Sequence, residues 1–447
     1  MGRLSHTRKL GLWMNGAFVG SWSQAPNSPD TLQYDLAWIQ SEAGRPLSLS
    51  LPFTPGNRPH RGDAVRAYFE NLLPDSKTIR DRIARRYQAG SAEAFALLAQ
   101  IGRDCVGALQ LYPDGMAPAG PDTVQASPLS ESDVAQVLRG TVAPTIATEL
   151  PDDDFRISIA GAQEKTALLR VDGQWCRPHG STPTTHIFKL PMGLVGNQRY
   201  DLSHSVENEW LCALILRTYG LPVANCEALQ FEDMKALVVE RFDRRWWGEE
   251  GQRQLIRLPQ EDLCQATGTP PHLKYETDGG PGIDTLLRLL NGSTQREVDR
   301  RTFFQAQVLF WMLSATDGHA KNFSLFLRAG GRYELTPLYD VLSAYPFLGE
   351  GPGKLSPHKA RLAMAVRTKN AHWKIREILR RHWVDLGEAQ GVLSADGRPA
   401  SQLIDDLVAR TPQVVATVRG QLPRGFPPQV ADSILEGLME AAQKLAG

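Results

Sequence analysis

The sequence predicts an α+β fold in which strands and helices are mixed over the first 260 residues and helices dominate the rest. Apolar and polar residues alternate through positions 11–22 on both sides of Asn15-Gly16, which is typical of a β-hairpin. From about position 259 onward the apolar spacing is mostly helical, with one predicted hairpin at 323–335. The 447 residues suffice for two or three domains, or for one two-lobed enzyme with an additional module.

The composition is that of an ordinary globular protein. Hydrophobic residues make up 42% of the chain, and Lys plus Arg balance Asp plus Glu at 49 each. Zero net charge excludes an overall field that attracts nucleic acid or anionic membranes, so such binding would need a local patch. No apolar run approaches the roughly 18 residues of a membrane span, and the apolar run after Arg8 and Lys9 is interrupted at Asn15. We therefore expect a soluble, cytoplasmic protein with no membrane partner.

The cysteines favour a reducing compartment. They are odd in number, widely spread and never form a Cys-x-x-Cys pair, which argues against a disulfide framework or a zinc site. Their positions are Cys105, Cys176, Cys212, Cys226 and Cys264.

Positions 1–113 form a predicted α+β module. After the first hairpin, a second alternating run spans 47–53, which we interpret as a strand. The other predicted elements of this module are a helix at 76–87, a helix from about 91 that carries Phe95, Leu97 and Leu98, and a strand at 106–112.

Positions 114–148 are predicted to be a linker and a short helix, and 149–447 a second region. Pro, Gly and Ala dominate 113–128, and Ser130 with Asp133 forms a capping-box pattern before a helix at 134–138. We place Glu261-Asp262 in the first turn of a helix that starts at Pro259. The other predicted elements are strands at 155–171, 186–189 and 237–242 and a helix at 206–219.

Small residues followed by a lysine suggest a phosphate-binding turn at 158–166, which has the sequence Ser-Ile-Ala-Gly-Ala-Gln-Glu-Lys-Thr. Backbone N–H groups in such a turn can face an anion. Glu164 replaces the glycine that precedes the lysine of a Walker A loop, and a strand-like run rather than a helix follows. A small-residue turn between strands covers ATP in kinases, but an ordinary hairpin turn fits about equally well.

A second candidate for phosphate binding is Lys189, at the end of the apolar strand 186–189. A strand lysine soon after such a turn matches the kinase lysine that contacts the α- and β-phosphates. Its expected partner is Glu209 or Glu207 in the next helix. The alternative is a strand-end lysine that extends to water.

The third motif is Asp317-Gly-His-Ala-Lys-Asn322, followed by a predicted hairpin and Pro337-Leu-Tyr-Asp340. Asp and Asn five residues apart have the spacing of the kinase catalytic loop, and a second Asp after a hairpin matches its metal ligand. One carboxylate would orient or deprotonate a hydroxyl, while an amide oxygen and the other carboxylate hold Mg²⁺. Ordinary turn-forming Asp and Asn residues are the alternative.

Together these motifs resemble HipA-type toxin kinases over nearly the whole chain. The matching segments, in family order, are Leu51-Pro-Phe53, Phe69-Glu-Asn-Leu-Leu-Pro74, Phe155-Arg-Ile-Ser-Ile-Ala-Gly-Ala-Gln-Glu-Lys-Thr166, Thr185-His-Ile-Phe-Lys189, Val239-Glu-Arg-Phe-Asp-Arg244, Pro259-Gln-Glu-Asp-Leu-Cys-Gln265, Thr316-Asp-Gly-His-Ala-Lys-Asn-Phe323 and Pro337-Leu-Tyr-Asp340. The chain departs from ordinary protein kinases in having Gly318-His319 after the catalytic Asp and Asp340-Val-Leu in place of Asp-Phe-Gly.

The resemblance implies a two-lobed fold related to protein and phosphoinositide kinases, with a mixed N-lobe and an all-helical C-lobe from about 259. It implies that Asp317 is catalytic, that Asn322 and Asp340 bind Mg²⁺, that 191–202 is the activation loop and that the hinge lies near 240–243. The residues that it places around ATP are Ala160, Gly161, Ala162, Gln163, Glu164, Lys165, Lys189, Glu240, Arg241, Phe242, His319, Lys321, Asn322, Tyr339 and Asp340.

The resemblance also implies a serine/threonine-protein kinase toxin of a type II toxin–antitoxin pair. Its partners would be a helix-turn-helix, HipB-like antitoxin and, through the complex, operator DNA. Its substrate would be an aminoacyl-tRNA synthetase, glutamate–tRNA ligase being favoured, whose phosphorylation halts translation and promotes growth arrest and persistence. Ser158 matches an autophosphorylation site, where about −1.5 to −2 added charges would repel ATP phosphates and inactivate the enzyme.

Two other functional classes are a catalytically silent, DNA-bound co-repressor and a small-molecule kinase. Intact Asp317, Asn322, Asp340 and Lys189 argue against the silent co-repressor, and phosphate transfer to protein would exclude a kinase specific for small molecules.

Basic residues concentrate at 354–381, where nine Lys or Arg accompany a single acid, Glu377. Lys374, Arg380 and Arg381 are therefore candidate DNA contacts. A solvated surface balanced by acids elsewhere in the fold fits equally well.

Overall fold

The structure is a computed structural model that describes residues 7–119, 124–142, 158, 163–196, 198–249 and 253–447. Within these ranges the chain divides into an N-terminal module, a sheet lobe and a C-terminal lobe, which meet around one cleft. No helix in these ranges is long and apolar enough to cross a membrane. The five cysteines are free thiols.

The N-terminal module combines an antiparallel sheet with short helices. Its elements are β1 (Arg8–Met14), β2 (Ala17–Gln24), β3 (Thr31–Tyr34), α1 (Leu36–Gln40), β4 (His60–Arg61), α2 (Asp63–Glu70), α3 (Lys77–Arg86), α4 (Ala94–Ile101) and β5 (Leu109–Pro113). The strand order is β4-β3-β2-β1-β5. The predicted hairpin is confirmed, because Asn15 and Gly16 adopt φ of 45° and 82°, as a two-residue turn between twisted strands requires. Trp22 stacks on Phe69 in the module's core, with 3.9 Å between ring centroids.

The strand predicted at 47–53 is wrong. Leu47 and Leu51 are buried in the module's core, but the backbone between them forms turns and joins no sheet. Its polar groups bind elsewhere: the Leu49 N–H donates to Glu261 Oε1 at 2.9 Å, and the Ser50 hydroxyl donates to the Gln265 carbonyl at 2.7 Å. The alternation therefore reflects two leucines that anchor a connection to the C-terminal lobe. The strand predicted at 106–112 is present as β5, but it begins only at Leu109.

The sheet lobe follows. Its elements are β6 (Ala126–Pro128), α5 (Glu131–Val142), β7 (Lys165–Val171), β8 (Gln174–Pro178), β9 (His186–Lys189), β10 (Gly193–Val195), β11 (Tyr200–Leu202), α6 (Ser205–Thr218), β12 (Cys226–Phe231) and β13 (Met234–Glu240). The main sheet has the order β12-β13-β9-β7-β8-β6. β10 and β11 form a hairpin in the segment assigned to the activation loop. That assignment stays a prediction.

The local signals in this lobe are mostly confirmed. The Ser130 and Asp133 side chains each accept a hydrogen bond from the other's backbone N–H, at 3.2 and 2.9 Å, and α5 follows as predicted. The linker predicted up to 128 is too long, because β6 pairs with β8. Of the strand predicted at 155–171, β7 supplies 165–171, while 155–157 and 159–162 lie outside the described residues.

The C-terminal lobe is mainly helical. Its elements, with the hairpin that precedes it, are β14 (Arg244–Trp247), β15 (Gln254–Arg257), β16 (Gln260–Asp262), α7 (Leu263–Ala266), α8 (Ile283–Leu289), α9 (Arg296–Met312), β17 (Ser324–Leu327), β18 (Tyr333–Leu335), β19 (Arg361–Arg367), β20 (Ala371–Lys374), α10 (Arg380–Ala389), α11 (Ala400–Gln421) and α12 (Pro428–Ala446). α9 passes through the lobe's core with most of its side chains buried.

Two predictions for this lobe need correction. It is not all-helical, because it contains the hairpin β19–β20 in addition to the predicted hairpin β17–β18. Pro259 does not start a helix, because the next residues form β16, which pairs with β17. The helix α7 starts later, where the Asp262 carboxylate accepts a hydrogen bond from the Gln265 N–H at 2.8 Å and completes a capping box.

Candidate active site

A cleft lies where the N-terminal module and the two lobes meet. The lining residues from the N-terminal module are Asn71, Leu72, Asp75 and Val106. The predicted catalytic residue Asp317 also lines it. So do most of the predicted ATP-site residues, namely Lys165, Lys189, Glu240, Arg241, Phe242, His319, Lys321, Asn322, Tyr339 and Asp340. The cleft therefore brings together residues from the three sequence motifs.

Lys189 lies at the end of β9 and joins two carboxylates. Its Nζ is 2.5 Å from Glu209 Oε1 in α6 and 2.9 Å from Asp340 Oδ1. Of the two partners left open by the sequence, Glu209 is the observed one, because Glu207 pairs with Lys235 instead. Burial alone would lower the pKa of Lys189, but Asp340 and Glu209 raise it above its usual range. Lys189 is thus held charged beside the predicted metal ligand.

Lys165, at the start of β7, faces the same cleft. Among the described residues, no acceptor lies within hydrogen-bond or ion-pair distance of its ammonium group. Burial, together with the nearby charge of Lys189, lowers its pKa to about 8, although Asp340 opposes this shift. A cleft lysine with no acceptor among the described residues is available to bind an anion.

The catalytic-loop motif folds into a tight turn between α9 and β17. The Asn322 Nδ2 donates to the Asp317 carbonyl at 2.8 Å, which fixes the asparagine side chain against the backbone of its own loop. The Asp317 carboxylate itself is open to the cleft, with 62% of the side chain exposed. A carboxylate in this position can accept a proton or a hydrogen bond from an incoming hydroxyl.

Asn322 and Asp340 fit the role of magnesium ligands. Because Nδ2 of Asn322 is already used as a donor, its carbonyl oxygen is left to accept or coordinate. Burial opposes ionisation of Asp340, but Lys189 and Lys165 hold its pKa well below the usual range. No group of three His, Cys, Asp or Glu among the described residues could hold a metal alone. Mg²⁺ in phosphoryl-transfer sites is usually bound by one or two carboxylates together with substrate phosphates and water.

The predicted hinge lies at the end of β13. The Arg241 N–H donates to the Thr185 carbonyl, whereas the Phe242 N–H finds no acceptor among the described residues. The Phe242 ring packs 5.7 Å from that of Tyr339, whose hydroxyl donates to the Lys321 carbonyl at 3.0 Å. The Phe242 N–H, next to the Phe242 and Tyr339 rings, could therefore bind a planar heterocycle.

The side chain of Arg241 binds carboxylates, and its predicted contact with ATP stays a prediction. Its guanidinium is buried at the boundary with the N-terminal module, where it binds Asp104 at 3.1 Å and Asp243 at 2.8 Å. Lys321 is likewise engaged, because its Nζ lies 2.7 Å from Asp75. His319 is buried beside Asp317, and burial lowers its pKa, so its imidazole is largely neutral near pH 7.

Other predicted site residues lie apart from the cleft or outside the description. Ala160, Gly161 and Ala162 are outside the described residues. Gln163 and Glu164 do not line the cleft: Gln163 donates to the Leu190 carbonyl at 2.5 Å, and Glu164 pairs with Arg82. Ser158 is 1% exposed, and its hydroxyl donates to the Leu72 carbonyl at 2.7 Å.

Sequence reasoning missed residues that the N-terminal module and the 270s segment bring to the cleft. Asp75 binds Lys274 as well as Lys321, and the Tyr275 hydroxyl donates to the Asp317 carboxylate. Asp75 directly follows the Phe69–Pro74 motif, which was the available signal for it. Tyr275 lies in a turn-rich segment with no periodicity that would have singled it out.

The candidate DNA contacts differ in their surroundings. Arg380 forms an ion pair with Asp405 at 2.8 Å and donates a hydrogen bond to the Leu445 carbonyl. Lys374 forms an ion pair with Glu377 at 2.9 Å. Arg381 is exposed, and no partner for it exists among the described residues. The DNA-binding role of this surface stays a prediction.

Comparison with known proteins identifies the relatives of the chain. A family model described as the HipA-like C-terminal domain matches residues 157–415, and one described as the HipA N-terminal domain matches 10–112. A putative kinase, Y4mE, from Sinorhizobium fredii is 34% identical over 347 residues, covering 76% of this chain and 79% of the relative. The serine/threonine-protein kinase toxin HipA of Shewanella oneidensis is 31% identical over 350 residues, covering 75% of each chain.

A solved structure with the same fold provides a further comparison. HipA from the Shewanella oneidensis complex of HipA, HipB and operator DNA superposes with a TM-score of 0.78 at 24% identity, covering 98% of this chain and 97% of that chain. This likeness confirms the predicted two-lobed α+β fold. With both family models matched and a curated toxin kinase more than 30% identical, the chain belongs to the HipA family of serine/threonine-protein kinase toxins.

Proposed function

We propose that this kinase transfers the γ-phosphoryl group of Mg·ATP to a serine or threonine hydroxyl of a cellular protein, as the toxin of a type II toxin–antitoxin pair. The observation that carries the proposal is the contact of Lys189 with both Glu209 and Asp340, beside the open carboxylate of Asp317. These groups are the ones that phosphoryl transfer needs for gripping phosphates, holding metal and receiving a hydroxyl.

Each residue contributes one part of the chemistry. Lys165 and Lys189 supply positive charge toward the phosphates, and Asp340 with the Asn322 carbonyl would hold Mg²⁺, which neutralises charge on the β- and γ-phosphates. Asp317 accepts the hydrogen bond of the acceptor hydroxyl and takes up its proton as the new O–P bond forms, while the bond from the γ-phosphorus to the bridging oxygen breaks and ADP leaves. The Phe242 N–H and ring would contact the adenine.

The test is incorporation of labelled phosphate into protein. Purified chain incubated with magnesium and γ-labelled ATP should label its own serines and added dephosphorylated casein, and phosphoamino-acid analysis should find phosphoserine or phosphothreonine. Omitting magnesium, or adding EDTA, should abolish the label. ATP consumption with the label only on small molecules would contradict the proposal.

Ser158 is the proposed self-inactivation site, and its buried hydroxyl supports that role. A phosphate carrying roughly −1.5 to −2 charges could not replace the hydrogen bond to Leu72, because burying it costs far more than burying a hydroxyl. Phosphorylated Ser158 would therefore leave this position beside the cleft wall. Phosphopeptide mapping of the same incubation should find phosphate on Ser158, with ATP affinity falling as it accumulates, and neither effect in Ser158→Ala. Normal ATP affinity of the phosphorylated form would exclude the mechanism.

The affinity for Mg·ATP should fall as the pH rises above about 8. The lowered pKa of Lys165 means that its ammonium group begins to lose its proton there in the free protein, whereas phosphates bind the charged form. Calorimetric titration with Mg·ATP between pH 7 and pH 9.5 should show this decline in the parent. Lys165→Arg, which stays charged, should show little decline, and Lys165→Met should bind weakly at every pH. A decline of equal steepness in Lys165→Met would assign the effect to another group.

The proposed partners follow from the family. The Shewanella relative is solved with HipB and its operator DNA, and we propose a helix-turn-helix antitoxin of the same kind for this chain. The proposed protein substrate is an aminoacyl-tRNA synthetase, glutamate–tRNA ligase first, with growth arrest and persistence as the consequence. DNA contact through the complex would use exposed cations such as Arg381 rather than Arg380, whose guanidinium is engaged within the lobe.

A further inference from the structure

Tyr275 makes two contacts with the catalytic-loop motif. Its hydroxyl donates a hydrogen bond to Oδ1 of Asp317, and its ring stands edge-on to the His319 imidazole, with 5.0 Å between centroids and an interplanar angle of 82°. Tyr275 is not among the residues to which the family motifs assigned a role. One side chain therefore touches both the catalytic carboxylate and the buried histidine beside it.

The carboxylate of Asp317 has little else to orient it. Its side chain is 62% exposed, and the Nε2 of His319 lies 3.8 Å from Oδ1, beyond hydrogen-bond distance. In the part of the chain that the structure describes, Tyr275 is the one group that donates a hydrogen bond to this carboxylate. An exposed aspartate without such a donor would rotate freely about its side-chain bonds.

The segment that carries Tyr275 is itself held in place. The Tyr275 carbonyl accepts hydrogen bonds from the Asp278 and Gly280 N–H groups, at 3.1 and 3.0 Å. Lys274, next to it, lies 2.8 Å from Asp75 of the N-terminal module. Burial first, and then the charge of Asp317, raises the pKa of Tyr275 above its usual range, so the hydroxyl keeps its proton.

We propose that Tyr275 is a positioning residue, which fixes Oδ1 of Asp317 and so leaves Oδ2 turned toward the acceptor hydroxyl. This inference rests on the proposed function, in which Asp317 receives the acceptor's proton. Because the enzyme and acceptor must meet in one geometry, a freely rotating carboxylate would lower the rate of phosphoryl transfer without removing any group that binds ATP.

The test compares Tyr275→Phe with a matched tyrosine elsewhere in the lobe. Tyr275→Phe keeps the ring against His319 and removes the hydroxyl, so we expect kcat for labelling casein to fall about 10- to 100-fold, with KM for ATP nearly unchanged. The control is Tyr333→Phe, which also removes a tyrosine hydroxyl, here one that donates to the Leu289 carbonyl at 2.6 Å. It should keep the parental kcat.

A double-mutant cycle separates positioning from a general structural effect. In the Asp317→Asn background, Tyr275→Phe should cause no further loss, because the group that it positions is already inactive. If the parent labels no protein, the proposed function fails. If the parent labels protein and Tyr275→Phe has the parental kcat, or a higher one, Tyr275 does not position Asp317 and this inference alone is overturned. A further loss in the Asp317→Asn background would overturn it as well.

Discussion

Replacement of Asp317 by alanine should lower the rate of phosphate transfer to protein at least about 10²-fold. In the proposed mechanism the exposed carboxylate of Asp317 receives the proton of the acceptor hydroxyl, and alanine leaves no base in its position. The rate is measured as labelled phosphate on casein and on the chain itself. ATP binding should persist in this variant, because Lys189, Glu209 and Asp340 keep their mutual contacts.

The matched variant is Asp340→Ala, which removes a proposed metal ligand rather than the base. It should lower phosphate transfer and also weaken binding of Mg·ATP, while leaving Lys189 with Glu209 as its only carboxylate partner among the described residues. Parental phosphate transfer by Asp317→Ala would show that the catalytic-loop assignment is wrong. Equal losses of nucleotide affinity in both variants would show that the two carboxylates do not have separate roles.

The parts of the site that could be predicted from sequence are those formed by neighbouring residues. The strand His186–Lys189 has the predicted bounds, and it lies between β7 and β13 in the interior of the sheet. The turn that joins Asp317 to Asn322 is closed by a hydrogen bond between these two residues, so the five-residue spacing was sufficient to indicate it. Sequence reasoning narrowed the carboxylate partner of Lys189 to Glu207 and Glu209, because both lie in the first two turns of α6.

The parts that could not be predicted depend on contacts between distant segments. Asp75 reaches Lys321, 246 positions away, only because the N-terminal module docks on the cleft. The same docking explains why the run at 47–53 is no strand, since its backbone binds Glu261. It also explains the side chain of Arg241, a predicted hinge residue, which binds Asp104 of the N-terminal module. Local patterns carry no information about these partners.

A buried cluster of charged side chains lies where the N-terminal module meets the predicted hinge. We expect this cluster to contribute most to the stability of the fold. Asp104 of the N-terminal module binds Arg241 at 3.1 Å, Arg244 at 2.8 Å and Arg257 at 3.1 Å, and it accepts the Thr184 hydroxyl at 2.7 Å. Asp243 is the cluster's other carboxylate. Three guanidinium groups thus share two carboxylates, and removing one carboxylate leaves two positive charges in excess.

Asp104→Asn should therefore lower the free energy of unfolding by about 3–5 kcal/mol, the usual cost of leaving a buried charge without its partner. Urea unfolding followed by tryptophan fluorescence measures the change. Its control is Asp81→Asn, which breaks an exposed pair with Lys77 on α3 and should change stability by less than about 0.5 kcal/mol.

The effect of Asp104→Asn should also depend on pH in a defined direction. Burial opposes ionisation of Asp104, but Arg244, Arg241 and Arg257 hold its pKa well below the value of about 3.9 that an aspartate has in an unfolded chain. Its contribution is then complete above about pH 5 and is lost as the pH falls toward the folded pKa. The difference in stability between parent and variant should be constant from pH 5 to pH 8 and shrink on further acidification. A difference below about 1 kcal/mol at pH 7 would mean that the cluster does not hold the N-terminal module to the hinge.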